Sequence, residues 1–112
     1  MRLEAKKYLY DVQQAAARIA EFTAGKLFED YHADMLLRAA VEREFEIVGE
    51  ALAQLGRTDE ALLAGISEYQ RIIAFRNILI HGYADVDDRI VWDVVQGKLP
   101  VLRSEVEALL AG

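Results

Sequence analysis

The chain has 112 residues, a formal charge of −6 and no cysteine. A domain of this size buries roughly two-thirds of its unfolded surface, enough for one core without covalent staples. Disulfide frameworks and thiolate metal sites are therefore excluded, and non-specific polyanion binding is disfavoured, because that draws on clustered Lys and Arg. Residues 1–112 read as a single domain. The charged opening Met1-Arg2-Leu3-Glu4-Ala5-Lys6-Lys7 lacks an apolar run after it, and no segment approaches the roughly 18 apolar residues of a membrane span. The expectation is a cytoplasmic protein with no membrane contact. Acidic residues crowd positions 29–60, whereas Arg71, Arg76, Arg89, Lys98 and Arg103 fall later. Both groups read as solvated helix faces, so any RNA contact is expected to be local.

In chain order, Tyr8, Val12, Ala15, Ile19 and Phe22 alternate four and three apart, which predicts an amphipathic helix over residues 2–23 stopped by Gly25. A long second helix follows the cap candidates Asp30 and Asp34. It carries Leu37, Val41, Phe45, Val48, Leu52 and Leu55 along one lane, with Gly56 as the C-terminal cap. Residues 57–65 read as a connection with one helical turn. Ser67 and Gln70 have capping-box spacing, so a third helix should run from there to Gly82. The carboxylates at 85–88 suit the start of a fourth helix bearing Ile90, Val91, Val94 and Val95. Gly97 and Pro100 predict a kink or break before a last helical piece ending at Leu110. With no alternating strand pattern, the fold class is all-α, an antiparallel bundle of four to five helices. Tyr8, Tyr10, Phe22, Phe28, Tyr31 and Phe45 read as core or interface aromatics, Trp92 as a packing anchor at the core or a dimer surface, and His32 as a loop residue without a role.

The third helix carries the chemistry. Ile72, Ile73, Ala74, Phe75, Ile78, Leu79 and Ile80 cover nearly its whole circumference, the pattern of a buried helix, and within Ile72 to Gly82 leave only Arg76, Asn77 and His81 polar. Buried polar groups cost several kcal/mol unless paired or used, so this helix should meet a cleft or a partner surface. Asn77 and His81 share a face, as do Arg76 and Tyr83 if the helix continues, whereas Arg76 and His81 diverge by roughly 140°. A two-fold dimer would bring a second Arg and His to a composite site. Arg, His and Asn without a ligand set suit metal-free phosphoryl transfer on RNA. An imidazole can take the 2′-hydroxyl proton or give one to the leaving oxygen, and a guanidinium matches the phosphorane charge. The requirement for a 2′-hydroxyl points to RNA and away from DNA. The structural alternative is that Arg76 pairs with Glu44, Glu46 or Glu50 and that His81 merely suits a helix C-terminus.

Arg76-Asn77-Ile78-Leu79-Ile80-His81-Gly82-Tyr83 resembles the Arg-x4-His motif of HEPN ribonucleases, and the added tyrosine resembles the HepT branch. Glu46-Ile47-Val48-Gly49-Glu50-Ala51 is similar to that family's second helix, and Ile90-Val91-Trp92 with Leu99-Pro100 to its post-motif helix. The resemblance spans residues 36–110. It implies that Arg76 and His81 are the catalytic pair, with Asn77 supporting. It also implies that Tyr83 is modified with AMP by a minimal nucleotidyltransferase antitoxin, which silences a toxin ribonuclease. Glu50 is the second-helix acid expected to pair with Arg76 or orient the site. No cofactor or metal is expected, and a homodimer is. The rival reading is a catalytically silent HEPN module that scaffolds a separate nucleotidyltransferase. A four-helix metal protein ranks below both, because Glu-x-x-His pairs are not expected on the helices.

Overall fold

The protein is described by a computed structural model covering the backbone of residues 1–112 and every side chain except that of Tyr83. Four long rods form an antiparallel all-α bundle: α1 (Leu3–Thr23), α3 (Met35–Thr58), α5 (Tyr69–His81) and a curved rod made of α6 (Asp88–Asp93) and α7 (Leu99–Ala111). Two short helices, α2 (Phe28–Ala33) and α4 (Glu60–Ala64), fill the corners. Among the described residues there is no strand.

The predicted stripe of α1 faces inward, with Val12, Ala15 and Ile19 fully buried. Gly25, at a φ of +71°, ends the rod. The lane of α3 is likewise buried from Leu37 to Leu55, and Asp34 caps it by accepting a hydrogen bond from Leu37 N at 3.0 Å. Asp30 does a different job: its Oδ2 accepts from Leu27 N at 2.8 Å and starts α2, a helix absent from the sequence prediction. His32 consequently lies on α2, not in a loop, and its Nδ1 meets Asp88 Oδ2 at 2.8 Å, tying α2 to α6. Arg89 stacks over Phe28 at 3.7 Å beside it.

Gly56 does not cap α3. The helix runs two residues further, and a Cβ on Gly56 would come 2.7 Å from Leu63 Cδ2, so the glycine lets α4 press onto the rod. Ser67 does not cap α5 either; its N and Oγ donate to Glu105 at 3.1 and 2.8 Å, and Glu68 occupies the cap position. Lys98 adds a 2.9 Å bridge to Glu68, which holds that exposed carboxyl below its usual range, mainly through the hydrogen bond. Between α6 and α7 the chain does not break. Val94–Lys98 form a π-helical turn, whose wider hydrogen bonding accommodates Pro100 in the first turn of α7.

Two apolar clusters make up the core. One gathers Leu9, Val48, Leu52, Leu55, Ile72 and Val106; the other gathers Ile19, Tyr31, Val41, Phe45, Leu79 and Trp92. Trp92 is a core residue, 5.4 Å from the Tyr31 ring, and not an interface one. Leu52 is fully buried among four rods. Leu52→Ala is expected to cost about 2–5 kcal/mol of unfolding free energy, read by urea titration of the helical signal.

Candidate active site

α5 buries only one side. Ile72 and Leu79, seven residues apart, enter the core, and Phe75 meets Phe45 of α3 edge-on at 5.3 Å. On the other side Ala74, Asn77, Ile78 and His81 are exposed, with Ile78 at 53% and Ile80 at 38% of full accessibility. The expectation of a helix covered all round is corrected for the single chain. The apolar residues that close the circumference face outward.

Arg76 lies on the boundary, with 23% of its side chain exposed. Its Nη2 donates to Glu50 Oε2, forming an ion pair, and its Nη1 donates to Asn77 Oδ1 at 2.8 Å. Glu50 Oε1 accepts from Gln54 Nε2 at 3.1 Å, so the carboxylate is held from both ends. Arg76 Nε is buried with no partner among the described residues. The stem lies on bare backbone: a Cβ built on Gly49 would overlap Arg76 Cβ and come 2.5 Å from Cγ. Gly49 and Gln54 are the members of this group that sequence reasoning did not single out, and only the glycine carried a signal. Its signal was available, since a glycine inside a strongly periodic helix costs about 1 kcal/mol relative to alanine and often marks a close approach.

His81 ends α5 and is exposed, one turn beyond Asn77 on the same side. Arg76, Asn77 and Glu50 are thus brought together, whereas His81 points away from the Arg76 side by the angle that five residues impose. Glu44 and Glu46, the other acids considered for Arg76, bind Arg18 at 2.6 Å and Arg43 at 3.5 Å. The helical register behind the predicted sharing of a face by Arg76 and Tyr83 ends before Tyr83. Gly82 caps α5, and Tyr83–Asp85 form a separate 3-10 turn. The Tyr83 side chain lies outside the described residues.

A groove of about 330 Å³ opens beside Arg76, walled by Tyr8 of α1, Arg43 and Glu46 of α3, and Ile80 of α5. Its cations are already matched: Lys7 sits 3.4 Å from Asp11, and Arg43 and Arg76 have their own acids. Such a wall attracts a phosphate only locally, as a net charge of −6 requires. A wider concavity, about 840 Å³ at the α2–α3 corner, is lined by Met35 and Leu36 and contains no motif residue among the described residues.

A second polar cluster joins α2, α3 and α6. Tyr31 is fully buried, and burial followed by the charges of Glu42 and Asp88 pushes its phenol well above the usual range. Glu42 is pushed upward by burial and then by Asp88. Glu29 and His32 have Glu-x-x-His spacing and α2 makes them helical, which corrects the expectation that no such pair lies on a helix. Among the described residues no group of three or more His, Cys, Asp or Glu side chains is placed to hold a metal ion. Likewise no helix is long and apolar enough to cross a membrane.

The family of HepT-like ribonucleases matches residues 12–109. The chain is 35% identical to the "Probable ribonuclease HepT" of Thermococcus cleftensis, covering 97% of this chain and 98% of that one. It is 30% identical to the "Putative RNase MJ1380" of Methanocaldococcus jannaschii, covering 93% and 94%. It is also 30% identical to the "Putative RNase TTE0752" of Caldanaerobacter subterraneus, covering 94% and 93%. No solved structure matches it.

Proposed function

The chain belongs to the HepT-like ribonuclease family, and from that membership we propose that it is the metal-independent toxin of a toxin–antitoxin pair, silenced when a nucleotidyltransferase transfers AMP to Tyr83. Family membership makes it an RNA endonuclease. The observation that carries the finer reading is the pairing of a held guanidinium, Arg76, with an exposed imidazole, His81, on one short helix. In this reading the ribose 2′-oxygen attacks the adjacent phosphorus and the bond to the 5′-oxygen breaks, leaving a cyclic phosphate and a 5′-hydroxyl. His81 takes the 2′ proton or supplies one to the leaving oxygen, with water or the second copy's imidazole as the other proton carrier, Arg76 meets the phosphorane charge, and Asn77 supports Arg76.

The divergence of Arg76 and His81 supports a composite site between two copies. The outward Ile78 and Ile80 support the same arrangement, since burying what is still exposed of each would gain about half or less of the roughly 1.5–3 kcal/mol of a fully buried side chain. Light scattering at micromolar concentration is expected to report a dimer for the wild type and a shift to monomer for Ile78→Glu. A wild-type monomer with full nuclease activity would show that one chain suffices.

The deciding experiment incubates the purified protein with total cellular RNA, with and without EDTA, beside His81→Ala. Cleavage by the wild type alone, unaffected by EDTA, supports the toxin reading. No cleavage, together with tight binding to a co-expressed nucleotidyltransferase, supports the silent scaffold.

A further inference from the structure

We infer that Gly49 and Glu50 of α3 are positioning residues for cleavage: together they form a socket that fixes where, and by which N–H bonds, Arg76 meets the scissile phosphate. The inference rests on the ribonuclease reading of the site. A guanidinium carries five N–H donors. Here Nε is buried against protein, one Nη2 hydrogen goes to Glu50 and one Nη1 hydrogen to Asn77. The side-on fork of Nε and Nη2 is therefore closed to substrate. What remains is one N–H on each Nη, on a residue that lines the groove beside Ile80.

Each part of the socket restrains a different degree of freedom. Gly49 lets the Arg76 stem lie directly on the α3 backbone, because any Cβ there would overlap it. Glu50 fixes the guanidinium plane and is itself fixed by Gln54. Helix propensity does not explain Gly49, since glycine is the poorest helix former after proline, although the close approach of α3 and α5 requires it, and the ion pair with a half-exposed carboxylate adds little stability. Positioning does explain them, since a guanidinium preset for the transition state needs no reorganisation when charge develops. Glu50 also tempers the attraction of Arg76 for a ground-state phosphate.

The test compares Glu50→Ala, Glu50→Gln and Gly49→Ala in steady-state cleavage of one RNA, with helical melting as the fold control. Glu50→Ala is expected to lower kcat on the order of tenfold or more while KM stays level or falls. Glu50→Gln, whose amide oxygen still accepts from Nη2, is expected to retain most of kcat. Gly49→Ala should lower kcat like Glu50→Ala; if it fails to fold, the Glu50 pair decides. Nitrogen-15 NMR of the Arg76 guanidinium gives a readout independent of activity. Restricted rotation is expected in the wild type and Glu50→Gln, and free rotation in Glu50→Ala. Wild-type kcat or faster cleavage in Glu50→Ala would overturn the inference. If the wild type cuts no RNA, the ribonuclease reading has failed, and the NMR comparison judges the socket alone: unchanged rotation in Glu50→Ala overturns it.

Discussion

His81→Ala is expected to cleave RNA about 10²–10⁴-fold more slowly than the wild type while its melting temperature stays unchanged. The separation of activity from stability follows from placement. His81 is exposed at the last position of α5 and supports no part of the core, so truncation removes a proton carrier and little packing. Arg76→Ala is expected to lose about 10²–10³-fold through its charge on the phosphorane. The ion pair itself should contribute only about 0–1 kcal/mol of stability, because Glu50 is 47% exposed and water can solvate the carboxylate left behind, and loss of the stem packed on Gly49 adds to that. Arg76→Lys should resemble the alanine variant more than the wild type, since an ammonium cannot keep both Glu50 and Asn77 and still offer two parallel donors. Gel-based cleavage rates beside thermal melts check all three. Undiminished cleavage by His81→Ala, free of contaminating nuclease, removes the imidazole from the mechanism.

Tyr83→Phe is expected to escape neutralisation completely while remaining as toxic as the wild type. In the proposed transfer the Tyr83 phenolic oxygen would be joined to the α-phosphorus of ATP, with release of pyrophosphate. A phenol with a pKa near 10 is a poor nucleophile at neutral pH, so the partner enzyme must activate it. The backbone favours access by such an enzyme: Gly82 ends α5, and Tyr83 opens a 3-10 turn between exposed His81 and exposed Ala84. A phosphodiester attached two residues from His81 adds negative charge where the substrate phosphate must approach, which repels RNA. Co-expression with the nucleotidyltransferase followed by mass spectrometry should find one or more AMP groups on the wild type and none on Tyr83→Phe. If the antitoxin still silences Tyr83→Phe and no nucleotide is found on the wild type, control runs through binding and not through this residue.

The helical class, the inward stripes of α1 and α3 and the Asp34 cap were all legible in the chain. Each rests on relations between residues a few positions apart, and periodicity and capping are local in that sense. Where competing partners lie far away in sequence, local reasoning fails. Ser67 has the spacing of a cap, yet Glu105, 38 residues later, takes both of its donors. Gly56 looks like a helix end, yet Leu63 uses the missing Cβ as space. The composition of α5 reads as complete burial, but how much of a helix is covered depends on how many neighbours reach it. Within one chain its core-facing side packs on α3, leaving Ile78 outward.

The site divides along the same line. Sequence alone determined that Arg76, Asn77 and His81 are the polar residues from Ile72 onward in this helix, and a fixed rise and turn decide that Arg76 and His81 diverge. Only the tertiary structure decided that Glu50, and not Glu44 or Glu46, meets Arg76, and that Gly49 carries its stem. Those contacts depend on the depth and register at which α3 and α5 pack. That register is set by Phe45, Phe75, Ile72 and Leu79 filling the shared core, a balance of shapes that no single helix contains.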